Sequence, residues 1–299
     1  MKIAYLISAH KDPIHLERLI NALRIKNTTH FFIHIDKKVD KGVFANILKG
    51  SDITFCKERV YTTWGGSSQC LYQINLIKEL INTDVRYDRV FFISGQDYPL
   101  ISNNKLIEIL NSTQTEFIQG INISNPGDKS QLKRIRNYHF FRNYKGKDLI
   151  RRILVKFSRD TMAILPLRKK KLKINNQYWD IYFGSSWWCL TWECLNMIYS
   201  NLRDGKIFNY FKYAYGPDEL MIQTIVFNSY LKQYAIKGEI MDLPDLTPIH
   251  YIDYKGSIKV FSKEDYDTLI KTDKWFFRKA ETGKSDELLD MIDEYRAKN

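Results

Sequence analysis

The sequence has few cysteines and no long apolar run, and both absences exclude whole classes of protein. Its four cysteines among 299 residues form no CxxC pair, which argues against a zinc site and against the disulfide scaffold of a small secreted domain. We expect them to be buried, reduced thiols. The first apolar run, residues 2–8, is too short for a signal peptide, and no window reaches the roughly 18 apolar residues of a membrane span. These absences predict a cytoplasmic protein, either free or peripherally attached to the inner face of a membrane.

The charge is unevenly distributed. Lys and Arg outnumber Asp and Glu by 46 to 34. The segment from Lys133 to Lys173 alone contains fifteen basic residues and only two aspartates. The remainder of the chain is therefore close to neutral. With 44% hydrophobic residues, no internal repeat and no low-complexity linker, the chain is able to bury a full core.

The first hundred residues alternate between strand and helix patterns. A β-prone run at residues 2–8 precedes Asp12-Pro13, a helix-start signal, and a helical face of apolar residues follows. Residues 30–36 and 89–94 are near-continuous apolar runs, typical of strands buried on both faces, and residues 66–80 between them have helical spacing. Strand, helix, strand, helix, strand predicts an α/β fold.

The second half is less regular. Residues from about 121 to 176 break the alternation and carry the basic excess, which indicates an insertion or a helical excursion from the sheet. A β-prone stretch resumes at Tyr182 to Thr191, and Gly216-Pro217-Asp218-Glu219 then opens an apolar helix. Free N–H groups and the helix dipole would favour ionised carboxylates there. That pattern fits a catalytic base, but from these residues alone ordinary helix-start chemistry is favoured because it is common.

Carboxylates follow two of the buried strands. Asp36 ends the apolar run at residues 30–36, and Asp97 comes just after the run at residues 89–94. Open α/β sheets bind their ligands outside the carboxyl ends of the strands, so these positions predict a ligand site.

Seven motifs in this order resemble glycosyltransferase family 14, which includes the core-2/I-branching β-1,6-N-acetylglucosaminyltransferases and the peptide xylosyltransferases. They extend over about residues 3 to 280: Ala4-Tyr5-Leu6-Ile7-Ser8-Ala9-His10, His34-Ile35-Asp36, Val60-Tyr61-Thr62-Thr63-Trp64-Gly65-Gly66-Ser67, Ser94-Gly95-Gln96-Asp97-Tyr98-Pro99-Leu100, Gly184-Ser185-Ser186-Trp187-Trp188, Gly216-Pro217-Asp218-Glu219 and Phe276-Phe277-Arg278-Lys279.

The resemblance implies a GT-A-like α/β fold over residues 1–299, with a mixed, mainly parallel sheet flanked by helices. It further implies an inverting transferase that moves a sugar, with N-acetylglucosamine favoured, from a UDP-sugar to a hydroxyl of a glycan. Position by position, Asp36 and Tyr61 would hold the uracil end of the donor, and Glu219 would be the general base. Tyr254 would stack on the acceptor, with Asp97 and Trp187 near the sugars. Arg134 and Arg136 lie near the family's acceptor loop and could contact an acidic acceptor.

The family works without a divalent metal, so no cofactor and no metal ligand are expected. The chain's one Asp-x-Asp, at residues 265–267, precedes a helical pattern and indicates a solvated helix start. Lys279 lies where the family keeps the lysine for the diphosphate, with Arg278 beside it as the weaker candidate. Animal members add an arginine upstream, and the simplest alignment places Gly256 there. Lys255 or Lys259 could substitute for it.

The basic segment, residues 133–173, interleaves aromatic residues with its charges, which favours contact with anionic lipid headgroups over a merely solvated loop. The expected acceptor is then a glycan or lipid-linked oligosaccharide, in the synthesis of surface polysaccharide or glycolipid by a bacterial-type member of the family. Two alternatives stay open: a nucleic-acid-binding protein, although no recognisable motif supports a nucleic-acid partner, and a catalytically inactive, lectin-like sugar-binding protein.

Overall fold

A computed structural model describes residues 1–124, 129–146, 148–161, 168–236, 247–254 and 256–299. The strands are β1 (Ile3–Ala9), β2 (Thr29–Ile35), β3 (Ile53–Phe55), β4 (Arg89–Ser94), β5 (Asp97–Pro99), β6 (Glu116–Gln119), β7 (Ile121–Asn122), β8 (Leu172–Ile174), β9 (Gln177–Trp179), β10 (Tyr182–Phe183), β11 (Trp188–Thr191), β12 (Ala235–Ile236), β13 (His250–Ile252) and β14 (Phe276–Arg278). The α-helices are α1 (Pro13–Leu23), α2 (Lys41–Ile47), α3 (Ser68–Ile81), α4 (Asn103–Asn111), α5 (Lys129–Arg136), α6 (Asp148–Thr161), α7 (Trp192–Leu202), α8 (Lys206–Phe211), α9 (Met221–Phe227), α10 (Tyr266–Leu269) and α11 (Asp286–Lys298).

A seven-stranded sheet in the order β12-β6-β11-β4-β1-β2-β3 runs through the described residues. Neighbouring strands are parallel except at β11, which is antiparallel to both β4 and β6. This order confirms the mixed, mainly parallel sheet and the α/β class expected from the sequence.

Helices cover both faces of the sheet, which explains why its central strands are apolar throughout. One hydrophobic cluster joins Leu6 and Phe92 to Leu76 of α3 and Ile198 of α7. The second cluster, on the opposite face, joins the alternate strand residues to Leu16 of α1, to α4 and to α11. All four cysteines are buried and unpaired, as the sequence predicted.

The helix-start signal at Asp12 operates as predicted. The Asp12 carboxylate accepts a hydrogen bond from the His15 backbone N–H at 3.1 Å, and Pro13 occupies the first helical position. The apolar face of the helix that begins here is buried, as its spacing predicts. Helix α3 likewise begins within two residues of the predicted position.

The predicted strand from Tyr182 to Thr191 is interrupted. Its first two residues form β10, which pairs with β7, and its last four form β11. Gly184 lies between them and donates its N–H to the carbonyl of Glu219 at 2.9 Å. A Cβ at Gly184 would lie 2.1 Å from the carbonyl oxygen of Gln119, so the chain bends at a residue without a side chain.

A second, three-stranded sheet lies beyond the end of β4. Strand β14 pairs in parallel with β13 and antiparallel with β5, and Arg278 stands opposite Asp97 in this register. Because β5 follows β4 after a short turn, the small sheet holds its side chains close to the carboxyl ends of the main strands.

The basic segment contains helical structure, one of the two forms expected for it. Helices α5 and α6 are followed by the β8–β9 hairpin. Arg168 is structural: its guanidinium donates to the carbonyl of Ile135 at 3.1 Å and to that of Tyr210, and it stacks on the Tyr138 and Tyr210 rings.

Candidate functional site

A cleft of about 490 Å³ opens at the carboxyl ends of β1, β2 and β4. Its walls come from the loops after these strands, from the segment before α3, from the turns before β11 and α9, and from β13 and β14 with the residues that follow β13. The position agrees with the rule that α/β sheets bind ligands at this edge.

The structure brings six of the eleven predicted site residues together in this cleft: Asp36, Arg134, Trp187, Glu219, Tyr254 and Arg278. Four others do not line it, namely Tyr61, Asp97, Arg136 and Lys279. The prediction for Lys255 falls outside the described residues.

Glu219 and Arg134 form an ion pair within the cleft. The Arg134 guanidinium donates from Nη1 to Glu219 Oε2 at 2.8 Å, although 85 residues separate the two in the chain. Arg134 is itself held by Gln131 Oε1, which accepts from its Nε at 2.6 Å, and it lies 4.4 Å from the Phe183 ring centroid. The Glu219 side chain remains 29% exposed, so its carboxylate faces the cleft.

Gly216 leaves the space that this pair occupies. Its φ of 57° is in the left-handed region, which favours glycine. A Cβ at this position would lie 2.9 Å from Arg134 Nη1 and 3.1 Å from Glu219 Oε2. A side chain here would therefore displace one partner of the pair.

Burial and the neighbouring charge of Asp218 both raise the pKa of Glu219, Arg134 lowers it, and the balance is a pKa of about 7. Asp218 is buried, and its carboxylate accepts hydrogen bonds from Ser186 Oγ at 2.7 Å and from Gln69 Nε2 at 3.1 Å. Burial also raises the pKa of Asp218. Glu219 is thus a carboxyl group that titrates close to neutral pH, as a general base should.

The predicted helix start is confirmed in part: Pro217 opens a helical turn that contains Asp218 and Glu219, but this turn is not part of α9. These residues form a separate 3₁₀ turn, Pro217–Glu219, and Leu220, with φ −124°, separates that turn from α9. The carboxylates therefore do not occupy the first turn of α9, and burial rather than a helix end sets the pKa of Glu219.

Asp36 marks one end of the cleft. Its Oδ1 accepts backbone hydrogen bonds from Lys38 at 2.9 Å and from Thr62 at 3.3 Å, and its Oδ2 lies 3.4 Å from Lys38 Nζ. Lys38 Nζ also lies 5.3 Å from the centroid of the Tyr61 ring. Tyr61 does not line the cleft, but it stands behind Lys38, which does.

A buried network holds Arg278 at the other side of the cleft. Asp97 is 0% exposed, and it accepts from Arg278 Nη1 at 2.9 Å, from His250 Nε2 at 2.9 Å and from the Ser94 N–H at 2.7 Å. Burial alone would raise the pKa of Asp97, but the charges and hydrogen bonds of His250 and Arg278 lower it below its ordinary value. Arg278 also stacks on Trp187, with 4.8 Å between Cζ and the ring centroid.

The sequence favoured Lys279 over Arg278 for the diphosphate, but the structure brings Arg278 to the cleft. Arg278 lines the cleft, whereas Lys279 Nζ lies 3.5 Å from the Glu281 carboxylate and does not line it. Lys259 pairs with Asp265 at 2.5 Å. Asp265 also completes a capping box with Ser262 in the 3₁₀ turn Lys263–Asp265, so this part of the Asp-x-Asp is used in a local helix start.

Sequence reasoning did not single out His10, His34, Lys38 or Trp64, all of which line the cleft. Burial lowers the pKa of His34 to about 4, and its Nε2 accepts from the Val60 N–H at 2.9 Å, which makes it a neutral acceptor. Trp64 projects into solvent beside Tyr215, with 5.8 Å between ring centroids. The available signal was sequence position: His10, His34 and Trp64 lie within the quoted motifs, and Lys38 follows Asp36 by two residues.

Over the ranges that the structure describes, no group of three or more His, Cys, Asp or Glu side chains converges as a metal site would require. In the same ranges, none of the helices has the length and hydropathy to span a bilayer.

The sequence of the chain is similar to those of known glycosyltransferases. The sequence profile of the Core-2/I-Branching enzyme family matches residues 3–255. A human N-acetyllactosaminide β-1,6-N-acetylglucosaminyl-transferase is 24% identical over 73% of this chain and 50% of its own length. A mouse β-1,3-galactosyl-O-glycosyl-glycoprotein β-1,6-N-acetylglucosaminyltransferase 4 is 25% identical over 75% of this chain and 46% of its own length.

The xylosyltransferase oxt of Drosophila pseudoobscura pseudoobscura is 25% identical over 40% of this chain and 14% of its own length. The chain spans about half the length of the N-acetylglucosaminyltransferases it matches. Among solved structures, S. aureus TarS 1–349 is 16% identical, with a TM-score of 0.28 over 48% of this chain and 43% of the other.

Proposed function

Since the chain belongs to the Core-2/I-branching enzyme family, a family of glycosyltransferases, we propose that it transfers a sugar from a UDP-sugar to a hydroxyl group of a glycan with inversion at the anomeric carbon. N-acetylglucosamine is the favoured donor sugar. The observation that carries the proposal is the ionisable Glu219 in the cleft, whose pKa of about 7 suits proton abstraction at neutral pH.

In the proposed reaction, Glu219 accepts the proton of the acceptor hydroxyl while the hydroxyl oxygen attacks the anomeric carbon. The bond between that carbon and the diphosphate oxygen breaks, and UDP leaves with the bonding electrons. One carboxylate is sufficient because the departing diphosphate needs charge neutralisation rather than a proton.

The donor would lie between Asp36 and Arg278. Asp36, backed by Lys38 and Tyr61, would hold the uracil end. Arg278 has one terminal nitrogen on Asp97 and stacks on Trp187, so it is oriented in advance for the diphosphate. We assign Lys279 a secondary role there because its ammonium group pairs with Glu281.

The acceptor would enter on the side of Glu219. Tyr254 is exposed and lines the cleft, so its ring can stack against a sugar. Trp187 also lines the cleft, but its ring already stacks with Arg278, so it would stand beside the sugars rather than offer a free face. Arg134 would contact an acidic group of the acceptor or hold Glu219. Asp97 is too deeply buried for a direct acceptor contact, so we assign it to positioning Arg278, and we give Arg136 no role in the cleft.

The Glu219→Gln variant tests the base. It should fold and bind UDP as the wild type does, because the amide keeps the shape of the carboxyl group. Transfer should fall by about 100-fold or more, the usual scale for a general base. Transfer at a near-wild-type rate would remove Glu219 from the mechanism, and loss of UDP binding would show that the substitution damages the donor site.

We propose that the reaction needs no divalent metal, because Arg278 supplies a fixed positive charge for the leaving diphosphate. Initial rates of transfer in excess EDTA should equal those in magnesium or manganese. A loss of rate on chelation that manganese restores would contradict this and would identify a metal ligand in the donor site.

Two further functions remain to be separated from this one by experiment. A lectin-like protein would bind sugar nucleotides without hydrolysing them or transferring the sugar. A nucleic-acid-binding protein would not bind sugar nucleotides. Slow hydrolysis of the UDP-sugar by purified protein would distinguish an enzyme from both of these alternatives.

The basic segment, residues 133–173, supports a place at the inner face of a membrane. The acceptor there would be a lipid-linked or membrane-proximal glycan for surface polysaccharide or glycolipid.

A further inference from the structure

Helix α6 presents apolar side chains to solvent along one stripe. Leu149, Ile153 and Phe157 recur every four residues, so they lie above one another on one face, and they are 70%, 58% and 63% exposed. Ser158 on the other side of the helix is buried, with its hydroxyl donating to the Val155 carbonyl at 3.0 Å. The face that carries this stripe is therefore the more exposed face of α6.

Positive charges border the stripe. Arg152 and Lys156 are exposed and precede Ile153 and Phe157 by one residue each, which places them along one edge of it. A helix with a strong apolar face and basic residues beside it is the pattern of a helix that lies in the plane of a membrane interface. The basic residues of the wider segment add attraction toward anionic headgroups.

The chain immediately before α6 contacts the cleft. Asn143 donates from Nδ2 to Ser67 Oγ at 2.8 Å, and the Arg142 guanidinium lies 4.6 Å from the centroid of Tyr215, a residue of the cleft wall. The chain thus passes from the rim of the cleft to α6 within a few residues.

We propose that α6 inserts its Leu149, Ile153 and Phe157 stripe into the interface of an anionic lipid membrane, with Arg152 and Lys156 at the headgroups. The inference rests on the membrane-proximal function proposed above and names the element that makes the contact. Insertion adds an apolar contribution that salt does not screen, whereas the charges contribute a part that salt weakens.

The experiment measures co-sedimentation of the full chain with vesicles of phosphatidylcholine alone and of phosphatidylcholine with one quarter phosphatidylglycerol, at low and high salt. Wild-type protein should bind the anionic vesicles and keep part of that binding at high salt. Leu149→Ser, Ile153→Ser and Phe157→Ser together should lower the partition coefficient by roughly tenfold or more and leave only salt-sensitive binding. Arg152→Ser with Lys156→Ser should weaken binding mainly at low salt.

A matched control replaces three exposed apolar residues elsewhere, Ile14, Val43 and Met291, by Ser, and it should bind as the wild type does. Wild-type binding by the α6 triple variant, or no binding by the wild type, would overturn the proposal. A wild-type dimer that the triple variant dissociates would overturn it too, because the stripe would then pair two copies. The vesicles contain no sugar, and UDP binding is measured separately, so failure here is distinguishable from failure of the glycosyltransferase proposal.

Discussion

At the scale of single residues, opposing influences set the pKa of Glu219 in the cleft. Burial and Asp218 raise the pKa of Glu219, and Arg134 at 2.8 Å lowers it. The balance places the pKa at about 7, where a small change in surroundings alters the ionised fraction of Glu219 substantially.

This balance predicts the dependence of activity on pH. Because the base must be deprotonated, kcat/KM should rise as the pH increases through about 7 and then level off. Arg134→Met removes the charge that lowers the pKa, so the midpoint of the profile should move up by about one pH unit. The measurement is kcat/KM against pH for both proteins.

Arg136→Met provides the control, since Arg136 lies on the same helix and does not line the cleft. Its midpoint should match that of the wild type. An unchanged midpoint in Arg134→Met, whatever its rate, would mean that the pair does not set the pKa of Glu219.

At the scale of secondary structure elements, the Asp97 network ties three strands and a helix together. Asp97 on β5 binds Arg278 on β14 and His250 on β13 with its carboxylate, and its carbonyl accepts from His15 of α1 at 3.1 Å. Removing one partner of a buried ion pair leaves the other charge without compensation, which is more costly than the pair is worth.

Asp97→Asn should therefore destabilise the protein by about 3–5 kcal/mol and weaken UDP binding, because Arg278 loses its anchor. Since the fold lowers the pKa of Asp97 from 3.8, the stabilisation is present above that pH and is lost as acid protonates the folded carboxylate. Denaturant unfolding at neutral and acidic pH measures both effects.

Glu108→Gln removes half of an exposed pair with Lys105 and should change the stability by less than about 1 kcal/mol. If Asp97→Asn is no more destabilised than this control, the network contributes little and Arg278 is held by its stacking on Trp187 alone.

The regular elements were predictable because their signals are local. The cap at Asp12 and the apolar strands on either side of α3 specify β1, α1, β2, α3 and β4 within a few residues. The 3₁₀ turn at Pro217–Glu219 and the break at Gly184 were not predictable, because both depend on contacts with distant chain: Gly184 bonds to Glu219 and lies against Gln119.

At the scale of the whole molecule, the strand-end rule located the cleft from Asp36, but it could not decide which residues face it. Asp97 follows a strand as Asp36 does, yet β14 and β13 cover it with Arg278 and His250. Arg278 and Lys279 are adjacent in sequence, and only the pairing of β14 with β5 directs Arg278 into the cleft. Such assignments require the tertiary structure, because they depend on register between strands far apart in the chain.

The ion pair between Arg134 and Glu219 connects the basic segment to the turn before α9, and Gly216 provides the space for it. The same arginine faces the side of the cleft on which an acceptor would enter. Attempts to redesign acceptor choice by exchanging α5 would therefore also change the pH optimum, since the replacement would remove or relocate the cation beside Glu219. Under the proposed mechanism, acceptor selectivity and working pH are therefore coupled, and a redesigned α5 would have to satisfy both.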